Sequence, residues 1–338
     1  MASGSEWNFG LDACDVDDKN RLKDFRFKAD IWIRTLDRDD RNSVSSQILQ
    51  MMWEDAAWRS LNHARYLSDG SDEIGTPGIV ASLLDRGYVA GQAIAISRLL
   101  EKGASRPHKQ VNSLRRLVDE IADCKELLTR EVYVCRDGLP YDFNAVRERL
   151  HVAIDPENPM AVWLDNEGPE AWSQSMLLHE EFDKLSGVGP ENRGRNDSIS
   201  SQFFKRLQSA FDDPVFEGIQ SLRHKSIAHA ADDISRSSAK LVRDGITLDE
   251  IARSHYLLIG LFQVISANIL QQSWLTDAIP VPQYNVFEGI NRPIASEMGA
   301  RKLGEFWDTH CSARSKWCND AYREIIPIDF VFAPDQVT

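Results

Sequence analysis

The sequence predicts an all-α protein, because apolar residues recur three and four positions apart along most of the chain and strand-type alternation is scarce. Helix-start signals support the same fold class. Asp213 precedes Pro214, and Thr247 stands three residues before Glu250, the spacing of a capping box. Hydrophobic residues make up 42% of the chain and charged residues 27%, as in an ordinary globular protein. We therefore expect a sizeable helical core.

Three helical patterns occupy the first half of the chain after a leading segment without clear periodicity. One covers residues 44–67, and a second covers 79–103 and ends on a glycine, a residue suited to a helix C-terminus. The third opens at Asn112 or Ser113 and continues toward residue 134. These patterns predict long amphipathic helices.

Turn-forming residues divide the middle of the chain, and two further helices follow. Segments such as RDGLPYD and GVGPENRGRND lie within residues 136–198, which we interpret as an insertion on the helical core, with 186–198 as a mobile loop. One helix is predicted to start near residue 214, and another to run from Thr247 to about residue 274. We thus predict an N-terminal extension (1–40), a bundle (41–274) and a C-terminal extension (275–338).

The overall charge limits the classes of partner. A net charge of −13 argues against a chain that coats nucleic acid non-specifically, because such binding needs a broad basic surface. One basic segment breaks the acidic trend and is opposed only by Glu101; it is either a solvated helix end and loop or a local RNA contact. Its residues are Arg98, Lys102, Arg106, Lys109, Arg115 and Arg116.

No membrane segment, cofactor or metal site is predicted. The longest apolar stretch, residues 256–270, falls short of the roughly 20 residues that span a bilayer. No signal peptide is recognisable, so we expect a cytoplasmic protein with free thiols at its five cysteines. His310, Cys311 and Cys318 lie near one another in sequence, but no fourth ligand stands at a usual zinc spacing.

Two further sets of residues are assigned to the core. His255 lies on a long apolar helix and is expected to be a hydrogen-bonded core histidine. Trp53 and Trp58, and Trp163 and Trp172, could stack on RNA bases, but packing is the simpler interpretation.

The densest group of ionisable residues lies in SLRHKSIAHAADD, residues 221–233. The apolar stripe of its helix continues toward His229, with Arg223, His224 and Lys225 just before it. Histidine can transfer a proton near neutral pH, and arginine can hold a phosphate through paired hydrogen bonds. The pattern is therefore suited to metal-independent RNA cleavage. A plain amphipathic helix end, with basic residues near the negative pole of its dipole, remains the alternative.

A single helix does not bring this arginine and histidine to one atom. On an ideal helix, Arg223 and His229 are about 120° apart and roughly 9 Å apart along the axis. A bend or a second copy of the helix is therefore required.

The motif resembles the signature of the HEPN superfamily: an arginine, a polar residue, a short spacer and a histidine, here Arg223, His224, KSIA and His229. The acidic pair that follows, and the RL pair at Arg98, are similar to the branch named for abortive phage infection. The resemblance covers about residues 79–134 and 199–272, although simple members of the family are much shorter than this chain.

The resemblance implies an up-and-down bundle of four or five helices that dimerises around a shared cleft and cleaves RNA without a metal, leaving a 2′,3′-cyclic phosphate. It implies catalytic roles for Arg223 and His229, with His224 orienting the arginine or contacting the phosphate. Lys225 and Arg98 are the implied substrate-binding residues. The sequence thus predicts an endoribonuclease of antiphage defence or of a toxin–antitoxin pair, with an antitoxin or defence-system protein as a further partner. A non-catalytic dimerisation or interaction module is the alternative.

Overall fold

The structure is a computed structural model that describes residues 7–38, 41–68, 78–104, 106, 110–152, 165–223, 246–272, 277–288 and 297–327. Within these ranges the chain is mostly helical, and the β-structure consists of an isolated antiparallel bridge between Thr129 and Ser198. The predicted all-α class is confirmed. None of the described helices combines the length and apolar character needed to cross a membrane.

The described residues contain twelve α-helices: α1 (Lys19–Ile33), α2 (Val44–Ser68), α3 (Gly78–Leu99), α4 (Leu114–Asp123), α5 (Arg130–Cys135), α6 (Phe143–Val152), α7 (Trp172–Ser186), α8 (Ser201–Ala210), α9 (Pro214–Leu222), α10 (Leu248–Gln263), α11 (Glu297–Ser315) and α12 (Trp317–Ile325).

The helices fall into two compact units. The first contains the described residues up to Arg34 and those of Val118–Leu207, and the second contains the described residues of Thr35–Leu117 and of Gln208–Pro327. The described residues of segment 136–198, predicted as an insertion, lie in the first unit with α1 and α5. The predicted boundaries near residues 40 and 274 remain predictions.

The first unit forms around α1 and the pair α5 and α7. The leading segment, for which the sequence suggested no helix, contains α1, whose Leu22, Phe25 and Trp32 are buried. Helix α5 packs against α7, and the rings of Tyr133 and Phe182 lie 5.1 Å apart. The N-terminal extension is therefore part of a core and not a peripheral tail.

Arg130, on α5, fixes the turn-rich segment that follows α7. Its side chain has no exposed surface and pairs with Asp183 at 2.7 Å and with Asp197 at 2.8 Å. The backbone N–H of Arg130 also donates to the carbonyl of Asp197, and that of Glu131 to the carbonyl of Arg195. These contacts anchor residues 186–198, in contrast to the mobile loop that their glycines suggested.

The second unit is a helical bundle in which α2 packs against α3 and α11, and α10 packs against α12, α2, α3 and α9. The close crossing of α10 and α12 depends on Gly260, where an added Cβ would lie 2.8 Å from the Cβ of Ala321. Helix α3 also packs against α9, which brings the region of Arg98 close to the helix that leads into the histidine motif.

Helix starts agree with the sequence better than helix ends. The Asp213 side chain accepts from the N–H of Val215, and Thr247 and Glu250 form the capping box. Helix α3, predicted to reach residue 103, instead ends at Leu99. Helix α10 ends at Gln263, with a π-helical turn after it.

The predicted helix from residue 112 to 134 is two helices. Helix α4 ends at Asp123, and a short turn separates it from α5. Contacts with Asp197 and Arg195, distant in sequence, hold the first residues of α5, so the periodic pattern alone could not indicate the break.

Candidate functional site

A groove of about 640 Å³ lies in the second unit, between the end of α3 and helix α9. Part of its wall comes from the C-terminal end of α3 and the residues after it, and part from the 211–213 turn and α9. Its lining residues are Ser97, Leu100, Glu101, Lys102, Arg115, Phe211, Asp212, Asp213, Phe216, Glu217, Gln220 and Arg223. The groove therefore joins the basic segment to the first residue of the histidine motif.

Helix α9 places Arg223 on the groove. The cap at Asp213 fixes where the helix starts, and the burial of Phe216 and Ile219 fixes which face points to the core. Glu217, Gln220 and Arg223 follow at intervals of three, each about 60° around the helix from the one before, and all three line the groove. Arg223 is thus placed by local sequence and by the apolar side of its helix.

The side chain of Arg223 is only partly exposed, at 26%, and forms an ion pair with Glu101. Its Nη1 lies 3.3 Å from Oε1 of Glu101, whose side chain is 34% exposed. The carbonyl of Glu101 accepts a hydrogen bond from Ser113 Oγ, and this bond ties the segment after α3 to the start of α4. Because both partners remain accessible to water, the pair is of the weak kind that a competing anion can replace.

Arg115 is the second arginine of the groove. Its Cζ lies 5.3 Å from the centre of the Phe211 ring, and its Nη1 lies 3.3 Å from Oδ1 of Asp212. The Arg115 side chain is 16% exposed, whereas that of Asp212 is 70% exposed. Its guanidinium is therefore held by an aromatic ring and neutralised by a solvated carboxylate.

Carboxylates outnumber cations in the described wall of the groove. The cations are Lys102, Arg115 and Arg223, and the carboxylates are Glu101, Asp212, Asp213 and Glu217. Asp213 is already engaged, because it caps α9 and its Oδ2 lies 3.3 Å from Arg253. Glu101 and Asp212 are the groove carboxylates that pair with Arg223 and Arg115.

The structure brings only part of the predicted site together. Arg223 lines the groove, while Arg98, in the last turn of α3, is exposed and lies three residues before Glu101 without lining the groove. His224, Lys225 and His229 lie outside the described residues. Helix α3, which carries Arg98, packs against α9, which leads into the motif. The contribution of Arg98 to the site remains a prediction.

Glu101 lines the groove, but the sequence alone assigned it no role in the site. In the sequence it was notable only as the negative charge that opposes the basic segment. The available signal was its position immediately after the RL pair, in SRLLEKG. Its pairing with Arg223 required the packing of α3 on α9.

A second polar cluster lies in the core of the same unit. We call it the Asp55 cluster, and its members are Asp55 and Arg59 on α2, Tyr88 and Gln92 on α3, His255 on α10 and His310 on α11. Asp55 is fully buried and accepts from Arg59 Nε at 2.9 Å and from the Tyr88 hydroxyl at 2.5 Å. His310 Nε2 lies 3.5 Å from Asp55 Oδ2.

The ionisation of Asp55 reflects these partners. Burial by itself raises the pKa of the carboxyl, but the neighbouring His310, Arg59 and Tyr88 outweigh burial and hold the pKa well below its usual value. Burial and the nearby carboxylate both raise the pKa of Tyr88. Asp55 is therefore charged and Tyr88 neutral at physiological pH.

The prediction that His255 is a hydrogen-bonded core histidine is confirmed. It is fully buried, and its Nε2 lies 2.8 Å from Oε1 of Gln92, whose Nε2 donates to the carbonyl of Met51. Burial lowers the pKa of His255 to about 4, so the ring is neutral at pH 7. Since Asp55, Tyr88, Gln92 and His255 are buried, and the side chains of Arg59 and His310 are less than 15% exposed, we interpret the cluster as a structural element of the core.

The tryptophans of α2 also act in packing. The Trp53 ring lies 5.3 Å from that of Trp307, and the Trp58 ring stacks on Tyr88 at 4.0 Å. The described part of the chain contains no group of three or more histidine, cysteine or acidic residues placed to hold a metal. All five cysteines are free thiols, and burial raises the pKa of Cys311 to about 12.

Comparisons of the chain with protein-family models, with curated proteins and with solved structures give no match. A functional assignment therefore depends on the residues of the groove and on the motif that begins at Arg223.

Proposed function

We propose that the chain is a metal-independent endoribonuclease of the HEPN type, with a HEPN-like up-and-down bundle formed by the helices of its second unit. The observation that carries the proposal is the placement of Arg223, the first residue of the R-polar-x₄-H pattern, in a groove that Lys102 and Arg115 also line. The helix that carries the RL pair packs against the helix that leads into the motif, as such a bundle requires.

In the proposed reaction, the 2′-hydroxyl of the RNA attacks the adjacent phosphorus and expels the 5′-oxygen of the next nucleotide. His229 accepts the proton of the 2′-hydroxyl and returns it to the departing 5′-oxygen, and the Arg223 guanidinium stabilises the negative charge that develops on the phosphorane. His224 orients the arginine or contacts the phosphate, while Lys225 and Arg98 bind the backbone. The products are a 2′,3′-cyclic phosphate and a free 5′-hydroxyl.

A homodimer is part of the proposal, because one helix cannot direct Arg223 and His229 to the same atom. Two copies of the motif that face a shared cleft supply the arginine and the histidine from neighbouring helices. We place the activity in the cytoplasm, in antiphage defence or in a toxin–antitoxin pair. The surfaces outside the bundle are then available to a neutralising or activating protein.

The test is cleavage of single-stranded RNA by the purified chain in the presence of excess EDTA. We expect cleavage to persist in EDTA, and Arg223→Ala and His229→Ala each to reduce its rate by about a hundredfold or more. Arg86→Ala, which removes an exposed arginine of α3 outside the groove, is the control and keeps full activity. Mass spectrometry of the products is expected to find the cyclic phosphate; cleavage that EDTA abolishes would refute the mechanism.

The second candidate is a non-catalytic dimerisation or interaction module. It is favoured by the excess of carboxylates in the groove and by the pairing of Arg223 with Glu101, both of which oppose phosphate binding. Under this alternative the wild-type chain cleaves no RNA, and Arg223→Ala changes its oligomeric state in sedimentation experiments. A nuclease is expected to lose cleavage on this substitution and to keep its oligomeric state.

A further inference from the structure

We propose that Arg115 and Lys102 form a phosphate-binding position in the groove that is separate from Arg223 and holds a neighbouring phosphodiester of single-stranded RNA. The nature of this ligand rests on the proposed function. The position itself rests on how the Arg115 side chain is held, on what neutralises it, and on which described basic residues of the same segment line the groove.

Arg115 is prearranged to bind an anion. Its guanidinium lies over the Phe211 ring, and its mostly buried side chain loses little freedom when a ligand arrives. Its Nε is buried and has no hydrogen-bond partner among the described residues. An arginine that lines a groove can hold a phosphate through the fork geometry of its guanidinium.

The countercharge of Arg115 is easily replaced. Asp212 is the carboxylate within pairing distance, and its side chain is 70% exposed. A carboxylate that remains this well solvated contributes little to an ion pair. A phosphodiester that enters the groove can therefore take its place on Arg115 without leaving a buried carboxylate unpaired.

The residues of the basic segment differ in whether their side chains line the groove. Arg116 donates to the carbonyl of Val111 at 2.8 Å, and its side chain packs against Gly103. Arg98 and Arg106 are exposed and do not line the groove. Among the described members of the segment, Lys102 and Arg115 line it together with Arg223, and Lys109 lies outside the described residues. This selection favours a binding position over a solvated helix end.

The volume of the groove, about 640 Å³, falls within the roughly 300–1,000 Å³ of small-molecule sites. Its cations come from different parts of the chain: Arg223 follows α9, Lys102 follows α3, and Arg115 lies on α4. The proposal therefore assigns one phosphate to Arg223 and a neighbouring one to Arg115 and Lys102.

The experiment measures binding without cleavage. A fluorescein-labelled, fully 2′-O-methylated oligoribonucleotide lacks the attacking hydroxyl, and its dissociation constant is measured by anisotropy with the full chain. We expect Arg115→Gln to weaken binding about five- to tenfold, and Lys102→Gln about two- to fivefold. Arg86→Gln is the control. It makes the same charge change at an exposed arginine of α3 that does not line the groove, and it should alter the dissociation constant less than twofold.

Two further measurements keep the proposal testable if Arg115→Gln folds poorly by circular dichroism. Asp212→Asn leaves Arg115 in place and removes its competitor, so binding should tighten about twofold. The plot of log affinity against log salt should become shallower by about 0.7 in Lys102→Gln, the change expected for one lost phosphate contact on a single strand.

The proposal is overturned if Arg115→Gln folds and binds as tightly as Arg86→Gln, or if Asp212→Asn does not tighten binding. Cleavage of unmodified RNA by the wild-type chain, measured in parallel, reports separately on the proposed function. A chain that does not cleave but loses affinity on Arg115→Gln has the binding position without the nuclease. One that cleaves and is insensitive to Arg115→Gln is a nuclease without this binding position.

Discussion

The Asp55 cluster and the groove show two ways in which one helical unit uses charge. In the cluster, Asp55 has no exposed surface, and Arg59, Tyr88 and His310 are each less than 15% exposed. In the groove, the Arg223 and Glu101 side chains are 26% and 34% exposed. Both contain an arginine and a carboxylate within 4 Å of each other, yet only the groove leaves them within reach of a ligand.

The comparison shows that burial of the carboxylate, and not the presence of an ion pair, separates a structural pair from one open to a ligand. The Arg115 side chain is 16% exposed, close to the 14% of Arg59, but its partner Asp212 is 70% exposed whereas Asp55 is not exposed. Removing a partner from a buried pair leaves an uncompensated charge in a medium of low dielectric constant. Removing one partner of the groove pair leaves the other charge in contact with solvent, which keeps it hydrated at little cost in free energy. The two regions should therefore respond very differently to substitution.

The largest expected effect is that of Asp55→Asn. The change keeps the shape of the side chain but removes the charge that Arg59 and Tyr88 are bonded to, so we expect the free energy of unfolding to fall by about 2–4 kcal/mol. Urea denaturation followed by circular dichroism measures it.

Asp85→Asn is the matched control. Asp85 also pairs with an arginine, with 2.8 Å between its Oδ1 and Arg65 Nη1, but its side chain is 43% exposed. We expect a loss of less than about 1 kcal/mol. Equal losses for the two variants would remove the distinction between buried and accessible pairs.

The next effect is a pH dependence carried by His255. Its folded pKa of about 4 lies below the ordinary value of 6.5, so the unfolded chain takes up the proton first as the pH falls. The stability that neutral His255 contributes is complete above pH 6.5 and is lost progressively down to about pH 4. Between pH 7 and pH 4.5 the wild type should lose about 2 kcal/mol more than His255→Gln.

Urea denaturation at several pH values measures this difference. His179, in the first unit, has a pKa that burial likewise lowers to about 4, so the variant should keep a smaller dependence of the same sign. Identical pH profiles for the wild type and His255→Gln would show that the histidine is not buried as a neutral ring.

The smallest effect on stability is expected for Glu101→Gln. Because both partners are partly exposed, the free energy of unfolding should change by less than about 1 kcal/mol. Freed from its carboxylate, Arg223 should bind the methylated RNA about two- to threefold more tightly, as measured by anisotropy. Weaker binding would instead indicate that Glu101 holds the Arg223 guanidinium in place for the ligand.

Part of the candidate site could be predicted from the sequence, because local signals act on it. The cap at Asp213 and the apolar stripe of α9 fix the direction of Arg223, and the basic segment is visible as a run of charges. Which residues of that segment line the groove could not be predicted. Lys102 and Arg115 line the groove while Arg116 turns to a backbone carbonyl, and this difference arises from contacts across the bundle.

The Asp55 cluster could not be predicted from the sequence. Asp55 interrupts the apolar stripe of α2, and a lone acidic residue there is usually expected to be solvated. Its burial depends on Tyr88, 33 positions away, and on His310 near the other end of the chain. No local pattern carries this information, because each helix alone would leave its polar group in water.

The sequence by itself determined the all-α class, the starts of α4, α9 and α10 and the place of Arg223 beside the apolar stripe of an amphipathic helix. These depend on side chains within a few residues, through capping bonds and helical periodicity. Only the tertiary structure decided where α3 ends, that the leading segment joins a core, and which charges are buried. Those outcomes depend on desolvation and on partners brought together from distant parts of the chain, which only the packed helices supply.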